Sequence, residues 1–406
     1  MTRHYQQEPV GDERPFNPQN STPRPGPSIA RDLRPLTLYS VVALEYILSC
    51  QWTIQHNLMN FSVHQDTGSE IHGYLVPDGF STKPIVAVRL NESSTTEIAC
   101  WLYVEGAYTQ GLHETGNVAF ILSESNVPGI STAERVEISD VESGLIFYRR
   151  ASLDNIPRKV LRVETSYVPH SELDLSLKPH FQFFEHRAER HGFETVRQML
   201  EILHQPSIYV SGRILLKNYQ VYIDYNIDVT MIGLRDPFYE LALRLITFSR
   251  YNLHRFAFVP ERDKTIFRPV IDCFAGLDVR DEGAVRRAIR QAPKDTLSVL
   301  SSPFTQQLMA ANPSEPARLD SVVGALDALS QFTLFDAGQD DTSYAKNIAE
   351  LLGLPEGSVN MRPQLEAVHQ LADILREIGS VSHLLESDLI LYHFIQKALF
   401  RARAKD

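Results

Sequence analysis

Seven short, mainly hydrophobic stretches follow one another between positions 71 and 168 of the chain. Turn signals such as Pro77-Asp78-Gly79 separate them, and no helical pattern lies between them. Short strands spaced by turns, without intervening helices, are typical of an antiparallel sheet or sandwich. The predicted strands are IHGYLV, KPIVAVRL, EIACWLYV, NVAFILSE, RVEISDV, GLIFYRR and KVLRVETSYV.

The last part of the chain instead repeats its hydrophobic residues at helical spacing. A helix over 344–352 is predicted to end at Gly353, because glycine readily adopts the conformation that closes a helix. The final helix, LLESDLILYHFIQKALFRARAK, carries cations in its last turns, where the helix dipole favours them. The repeating positions are Leu319, Val322, Val323, Leu326 and Leu329, and then Leu365, Val368, Ala372, Leu375 and Ile378.

The stretch from Ser207 to Phe258 joins these two parts. We expect a hairpin here, with a turn at Lys217-Asn218 and a half-buried strand over 221–229. Asp236-Pro237 then predicts a helix start, because the carboxylate can cap free backbone N–H groups and proline has none. A further helix is predicted over 180–205, and another across DEGAVRRAIRQA.

These patterns predict an α+β protein with four intervals. The β-rich N-terminal half is antiparallel and sandwich-like, a mixed hairpin-helix segment follows, and the C-terminal region is mostly α-helical. The intervals are a disordered proline-rich arm over 1–35, a β-rich domain with a leading helix over 36–178, a mixed α/β segment over 179–316 and a helical region over 317–406.

Composition narrows the classes of function. The 406 residues are 43% hydrophobic and 22% charged, as in globular proteins, and the net charge of -11 argues against binding nucleic acid through bulk charge. Cys50, Cys100 and Cys273 are too few and dispersed for a disulfide framework, and we expect three buried thiols. No stretch is apolar enough to cross a membrane and no signal peptide is evident. We therefore expect a cytoplasmic protein, or a virion protein if it is viral.

The sequence contains no nucleophile elbow, phosphate loop or dinucleotide fingerprint, and we expect neither a cofactor nor catalysis. Asp224, Asn226 and Asp228 would share one face of the predicted strand and could hold a cation such as Mg²⁺, although a polar outward face explains them equally. His186 and His191 are five residues apart, so on the predicted helix they would face different directions and form no metal site.

A basic, aromatic segment between positions 244 and 268 is the candidate for binding. Cations for phosphates and rings for bases are what proteins use to bind single-stranded RNA. Arginines at subunit interfaces, above aromatic residues in the core, would give the same pattern. The candidate RNA-binding residues are Arg244, Arg250, Tyr251, Arg255, Arg262, Lys264 and Arg268.

Three functions are compatible with these observations. The leading hypothesis is a non-enzymatic, self-assembling subunit of a viral or virus-like shell, whose partners are copies of itself. It rests on the proline-rich arm, the interleaved arginine and aromatic residues and the missing catalytic motifs. The first alternative is a nucleoprotein that binds RNA through the segment 244–268. The second is an enzyme that uses Asp224 and Asp228 with a divalent metal.

Overall fold

The computed structural model describes residues 59–91, 95–254, 256–337 and 341–403. Two antiparallel sheets form in the N-terminal half, and a parallel sheet and most of the helices follow them. This arrangement confirms the predicted α+β class. The arm predicted over 1–35 and the helix that we expected to lead the β-rich region lie outside the described residues.

The two antiparallel sheets contain four strands each. Six of the seven predicted stretches form strands of these sheets, and one of the six, EIACWLYV, forms two. The seventh, KVLRVETSYV, was expected in an antiparallel sheet and instead forms a strand of the parallel sheet, and the strand Asn60–Asp66 was not predicted. The first sheet has the order β1 (Asn60–Asp66), β2 (Ile71–Val76), β6 (Asn117–Leu122) and β5 (Leu102–Tyr103), and the second has the order β4 (Thr95–Ala99), β3 (Ile85–Leu90), β7 (Val136–Asp140) and β8 (Ile146–Arg149).

In this half of the chain, buried and exposed side chains alternate along the strands, and the buried ones form the core. Val86 and Val88 on β3 are buried, whereas Arg89 on the same strand is exposed. The ring of Phe147 on β8 lies 5.4 Å from that of Phe61 on β1 and 6.3 Å from that of Phe120 on β6. Such contacts between strands of the two sheets bury large apolar rings, which is the main stabilising contribution available to a small β-rich unit.

The third sheet is parallel and has five strands. Its order is β10 (Phe183–Glu185), β11 (Ile208–Gly212), β9 (Lys159–Val163), β12 (Val229–Gly233) and β13 (Leu334–Asp336). After β9, the chain continues to β10 and β11 on one side of the sheet, and after β12 it continues to β13 on the other side. The neighbouring strands β9 and β12 are therefore the point at which the connections diverge, where α/β sheets commonly open a crevice at the carboxyl ends of their strands.

Fifteen α-helices occur among the described residues. The helix predicted to start at Asp236-Pro237 is confirmed, since the Asp236 carboxylate accepts hydrogen bonds from the backbone N–H of Phe238 at 2.8 Å and of Tyr239 at 3.2 Å. The helices are α1 (Glu105–Thr109), α2 (Ser171–Leu177), α3 (Phe193–Leu200), α4 (Gln220–Asn226), α5 (Pro237–Arg250), α6 (Glu261–Ile266), α7 (Arg268–Cys273), α8 (Glu282–Gln291), α9 (Lys294–Ser298), α10 (Pro303–Met309), α11 (Ser321–Ser330), α12 (Asp341–Leu352), α13 (Glu366–Arg376), α14 (Gly379–Leu384) and α15 (Glu386–Arg403).

The predicted strand over 221–229 is wrong, because its first part is the helix α4. Tyr219 and Ile223 are buried at a spacing of four residues, while Val221 and Tyr225 are 62% and 85% exposed. A strand would place Val221, Ile223 and Tyr225 on one face, whereas a helix separates them. The predicted hairpin is wrong as well, since β11 and β12 each pair in parallel with β9.

The helix predicted over 180–205 is only partly correct. Phe183–Glu185 forms the buried edge strand β10, a short 3₁₀ turn covers Ala188–Arg190, and only Phe193–Leu200 is α-helical. A strand in a parallel sheet is buried on both faces and has a continuous apolar run, which periodicity does not distinguish from a helix.

The expectation of buried thiols holds for Cys100 and is wrong for Cys273, which is exposed on the last turn of α7. Cys50 lies outside the described residues. Within the part of the chain that the structure describes, no helix is long and apolar enough to cross a membrane.

Candidate nucleic-acid interface

An open groove with a volume of about 820 Å³ lies between the loop that follows β10 and the segment that follows α5. One wall runs from Arg187 to Phe193, and the other from Tyr251 to Lys264. The Arg187 guanidinium joins the walls, since its Nη2 donates a hydrogen bond to the backbone oxygen of Ala257 at 2.7 Å. The two walls come from segments about sixty residues apart in the chain.

A buried set of charges holds the base of the groove together. Arg213, directly after β11, donates from its backbone N–H to the Glu189 carboxylate at 2.9 Å and from Nη1 to the Asp263 carboxylate at 2.9 Å. These bonds tie the first wall to α6 in the second. Gly212 permits this approach, because a Cβ at that position would lie 2.4 Å from the backbone N of Ala188.

Basic side chains and aromatic rings share the surface of the groove. The side chains of Arg190, Arg262 and Lys264 are 41%, 45% and 35% exposed. Three aromatic residues line the same groove: Phe193 is 42% exposed, and Tyr251 and Phe256 are half-buried. An accessible cation can contact a phosphate, and an accessible ring can stack on a base.

Carboxylates in and below the groove orient these cations. Arg190 pairs with Glu185 at 2.8 Å, Arg262 lies 3.3 Å from Asp263, and Lys264 contacts Glu261. The Glu261 carboxylate is 87% exposed, so its pair with Lys264 contributes little stability, about 0–1 kcal/mol for a typical exposed pair, and Lys264 can exchange it for a ligand at small cost. Glu185 and Asp263 are buried, and Asp263 keeps Arg213 as a partner when Arg262 turns to a ligand.

Arg187 differs from the other cations because it is constrained. Its backbone has φ of 63°, in the left-handed region that a non-glycine residue rarely adopts. Burial lowers the pKa of its guanidinium, with the nearby Arg190 and Arg213 acting in the same direction and Glu189 opposing them. Its Nε has no hydrogen-bond partner among the described residues. The hydrogen bond to the Ala257 backbone oxygen holds the side chain between the two walls.

Three of the seven predicted RNA-binding residues line the groove: Tyr251, Arg262 and Lys264. Arg244 does not, because it is buried and its Nε donates to the Glu240 carboxylate at 2.8 Å. Arg268 pairs with Asp272 on α7 and has a side chain that is 63% exposed, outside the lining of the groove.

The two remaining predicted residues are Arg250 and Arg255. Arg250 is exposed at the last position of α5 and is not among the residues that line the groove. Arg255 lies outside the described residues. The buried rings of Phe248 and Phe267 lie 4.8 Å apart in the core beneath the segment, so they stabilise the fold and do not contact a ligand.

The sequence did not indicate Arg187 and Arg190 as partners of the later segment. A metal site at His191 was rejected in favour of a surface or interface histidine, and in the structure His191 lines the groove with its Nε2 3.5 Å from the Glu185 carboxylate. The sequence feature that could have indicated this wall is the mixture of basic and aromatic residues in HFQFFEHRAERHGF.

Asp224, Asn226 and Asp228, the three residues considered as cation ligands, do not lie on one face of a strand. Asp224 accepts a hydrogen bond from Gln220 within α4 at 2.8 Å, and Asp228 accepts one from the backbone N–H of Lys159 at 2.8 Å. In the described ranges, no group of three or more His, Cys, Asp or Glu residues is arranged to hold a metal ion. The metal-dependent enzyme remains a hypothesis, but the shared strand face on which it rested does not exist.

Comparison with known proteins gives no further guide to this surface. No protein-family model, no curated protein and no solved structure matches the chain.

Proposed function

We propose that the protein binds single-stranded RNA in the groove between the loop after β10 and the segment after α5. The observation that carries this proposal is that two segments distant in the chain place basic side chains and aromatic rings along one open surface. The sequence indicated RNA binding for one of these segments alone.

The exposed cations and rings suggest how a strand would lie. Arg190 would contact the backbone from one wall, and Arg262 and Lys264 from the other. A base would stack on Tyr251, which follows α5. Binding through phosphates and ring faces has little dependence on base sequence, and a local basic groove is compatible with the net charge of -11.

Fluorescence anisotropy with a labelled single-stranded RNA of mixed sequence tests this proposal. We expect the double variant Arg262→Gln/Lys264→Gln to bind at least about tenfold more weakly, because hydrogen bonds to charged groups each contribute about 1.5–3 kcal/mol. Both side chains are at least one third exposed, so the variant should fold normally.

Arg318→Gln is the matched control. Its side chain is 70% exposed and pairs with Asp320 at 2.9 Å, so it resembles the groove cations but does not line the groove. This change should leave RNA affinity unaltered. Equal losses in the control and the groove variant, or no binding by the unmodified protein, would exclude the groove as an RNA site.

A second candidate function is self-assembly, which the sequence favoured most. Exposed aromatic residues beside the edge strand β5 support it. Trp101 is 47% exposed, and Tyr103 and Tyr108 are each 54% exposed. The rings of Tyr103 and Tyr108 lie 6.1 Å apart. Aromatic residues are enriched in interfaces between protein chains, so a second copy of the chain would fit this surface.

Light scattering after size exclusion tests self-assembly. We expect a discrete assembly that becomes smaller when residues 1–35 are deleted, or when Trp101 and Tyr103 are both changed to serine. A particle with the mass of one chain, 46.0 kDa, at every concentration would refute the hypothesis.

A further inference from the structure

A narrow crevice opens where the connections of the parallel sheet diverge. Its residues come from the segment after β9, from the start of α5 and from the loop before α13. Its volume is about 40 Å³, enough for a few water molecules or one small ion and too small for a nucleotide. The carboxyl ends of strands at such a divergence are a common position for ligand sites in parallel sheets.

The charged side chains that line the crevice are all basic. Arg235 follows β12 and is 7% exposed. The side chain of Arg362, in the loop before α13, is 45% exposed, and its Nε lies 3.8 Å from the carboxylate of Glu172, which is outside the lining. His170 reaches the crevice from the β9 side, and none of the described residues in the lining has a carboxylate. Tyr239 and Gln364 add polar groups. This lining is suited to a negatively charged ligand.

Glu164 holds the His170 imidazole in a defined orientation. The His170 Nδ1 lies 2.9 Å from the Glu164 carboxylate, which also accepts hydrogen bonds from the backbone N–H of His170 at 2.9 Å and of Ser166 at 3.0 Å. Because Nδ1 donates to this carboxylate, Nε2 is the ring nitrogen that can meet a ligand.

A buried arginine supports Glu164 from behind. Arg162 donates to Glu164 at 3.0 Å and to the Asp174 carboxylate at 2.9 and 3.0 Å. Burial raises the pKa of Glu164, but His170 and Arg162 outweigh it, so the pKa is well below its usual value and the carboxylate is ionised. Tyr209 and Ser211 on β11 also donate to Asp174, at 2.7 and 2.8 Å. A fully buried ionic network is expensive to form, and networks of this kind are concentrated at functional sites.

We infer that this crevice is a binding site for a small oxyanion, such as inorganic phosphate or a terminal phosphate group. Arg235 and Arg362 would donate to its oxygens from two directions, and a protonated oxygen of the anion would donate to Nε2 of His170, whose Nδ1 carries the ring proton. Arginine matches the geometry of phosphate oxygens and retains its charge when buried. The site is separate from the RNA groove, and neither proposal depends on the other.

Calorimetric titration of the full chain with inorganic phosphate, against chloride at equal ionic strength, tests this inference. We expect saturable phosphate binding that weakens at least about tenfold in Arg362→Gln, since one hydrogen bond to a charged group is lost. Arg362 is the safest residue to change because it is the most exposed of the three. His170→Asn is the second variant, because asparagine can retain the hydrogen bond to Glu164 while removing Nε2.

Two controls locate the binding. Arg268→Gln, which removes a 63% exposed arginine outside the crevice, should leave phosphate affinity unchanged. The groove variant Arg262→Gln/Lys264→Gln should also leave it unchanged. Absence of phosphate binding, binding that neither Arg362→Gln nor His170→Asn weakens, or binding that the groove variant abolishes would each overturn the inference.

Discussion

The groove and the crevice are both basic, but they differ in how their cations are held. In the groove, Arg190, Arg262 and Lys264 are exposed. Lys264 pairs with the exposed Glu261, whereas the partners of Arg190 and Arg262, Glu185 and Asp263, are buried. In the crevice, the carboxylates lie behind the lining, and Glu164 and Asp174 are nearly completely buried. Exposed pairs can rearrange around a long flexible ligand, whereas a buried network holds its groups in one geometry.

This difference separates adaptable binding from selective binding. A surface about 820 Å³ in volume with exposed rings can accept many sequences of a single strand. A space of about 40 Å³ bounded by two arginines and an oriented histidine can accept only a small anion. Variants behind the crevice should therefore lower the free energy of unfolding strongly and leave RNA affinity nearly unchanged. Variants in the groove should lower RNA affinity strongly and leave the free energy of unfolding nearly unchanged.

The largest effect is expected for Asp174→Asn behind the crevice. This change leaves Arg162 buried without its principal partner, which typically costs about 3–5 kcal/mol. Urea unfolding at neutral pH measures the loss. Glu261→Gln in the groove is the comparison, because its carboxylate is 87% exposed and its removal should leave the free energy of unfolding unchanged. Similar losses of unfolding free energy in the two variants would contradict the difference between the buried network at the crevice and the exposed pair at the groove.

A smaller effect is expected for Tyr251→Ala in the groove. Removing a ring on which a base stacks costs about 1–3 kcal/mol of binding free energy, which corresponds to an RNA affinity roughly five- to 160-fold weaker. Anisotropy with the RNA used for the arginine variants measures it. The phosphate affinity of the same variant should remain that of the unmodified protein, and a parallel loss of both would show that the two sites are not independent.

The third effect concerns pH and the network behind the crevice. The pKa of Glu164 is lower in the folded state than its ordinary value of 4.5, because His170 and Arg162 together overcome the effect of burial. Its ionised form therefore stabilises the protein above pH 4.5, and this contribution is lost as the pH falls towards the folded-state pKa. Glu164→Gln should be less stable at neutral pH, and the difference should narrow in acid. A constant difference in urea unfolding from neutral pH to pH 3 would be inconsistent with this assignment.

Most of the antiparallel half could be predicted from the sequence, and much of the parallel sheet could not. Strands such as β3 bury alternate residues, so their pattern is visible locally. In β10, Phe183, Phe184 and Glu185 are all buried, and the continuous run resembles a helix. Segment 220–226 has an apolar and aromatic composition typical of strands, but the burial of Tyr219 and Ile223 by tertiary contacts selects a helix. The cap at Asp236 was predictable because it depends on the following three residues alone.

The candidate sites were likewise predictable only where their residues lie close together in the chain. Tyr251, Arg262 and Lys264 were identified because they are close in the chain. Their pairing with the wall that contains Arg187 depends on a bond to Ala257 seventy residues away, which no local pattern indicates. Arg244 was included wrongly in the surface set, because α5 is buried on nearly all sides and turns it inward to Glu240. The crevice joins residues near positions 170, 235 and 362, so only the topology of the sheet makes it visible.

The most direct test of the central claim is the salt dependence of RNA affinity. For a single strand, each phosphate contact contributes about 0.7 to the slope of log affinity against log salt. If Arg262 and Lys264 each contact a phosphate, Arg262→Gln/Lys264→Gln should reduce that slope by about 1.4 relative to the unmodified protein. Arg318→Gln should leave it unchanged. Identical slopes for all three proteins would contradict the assignment of the groove as the RNA-binding surface.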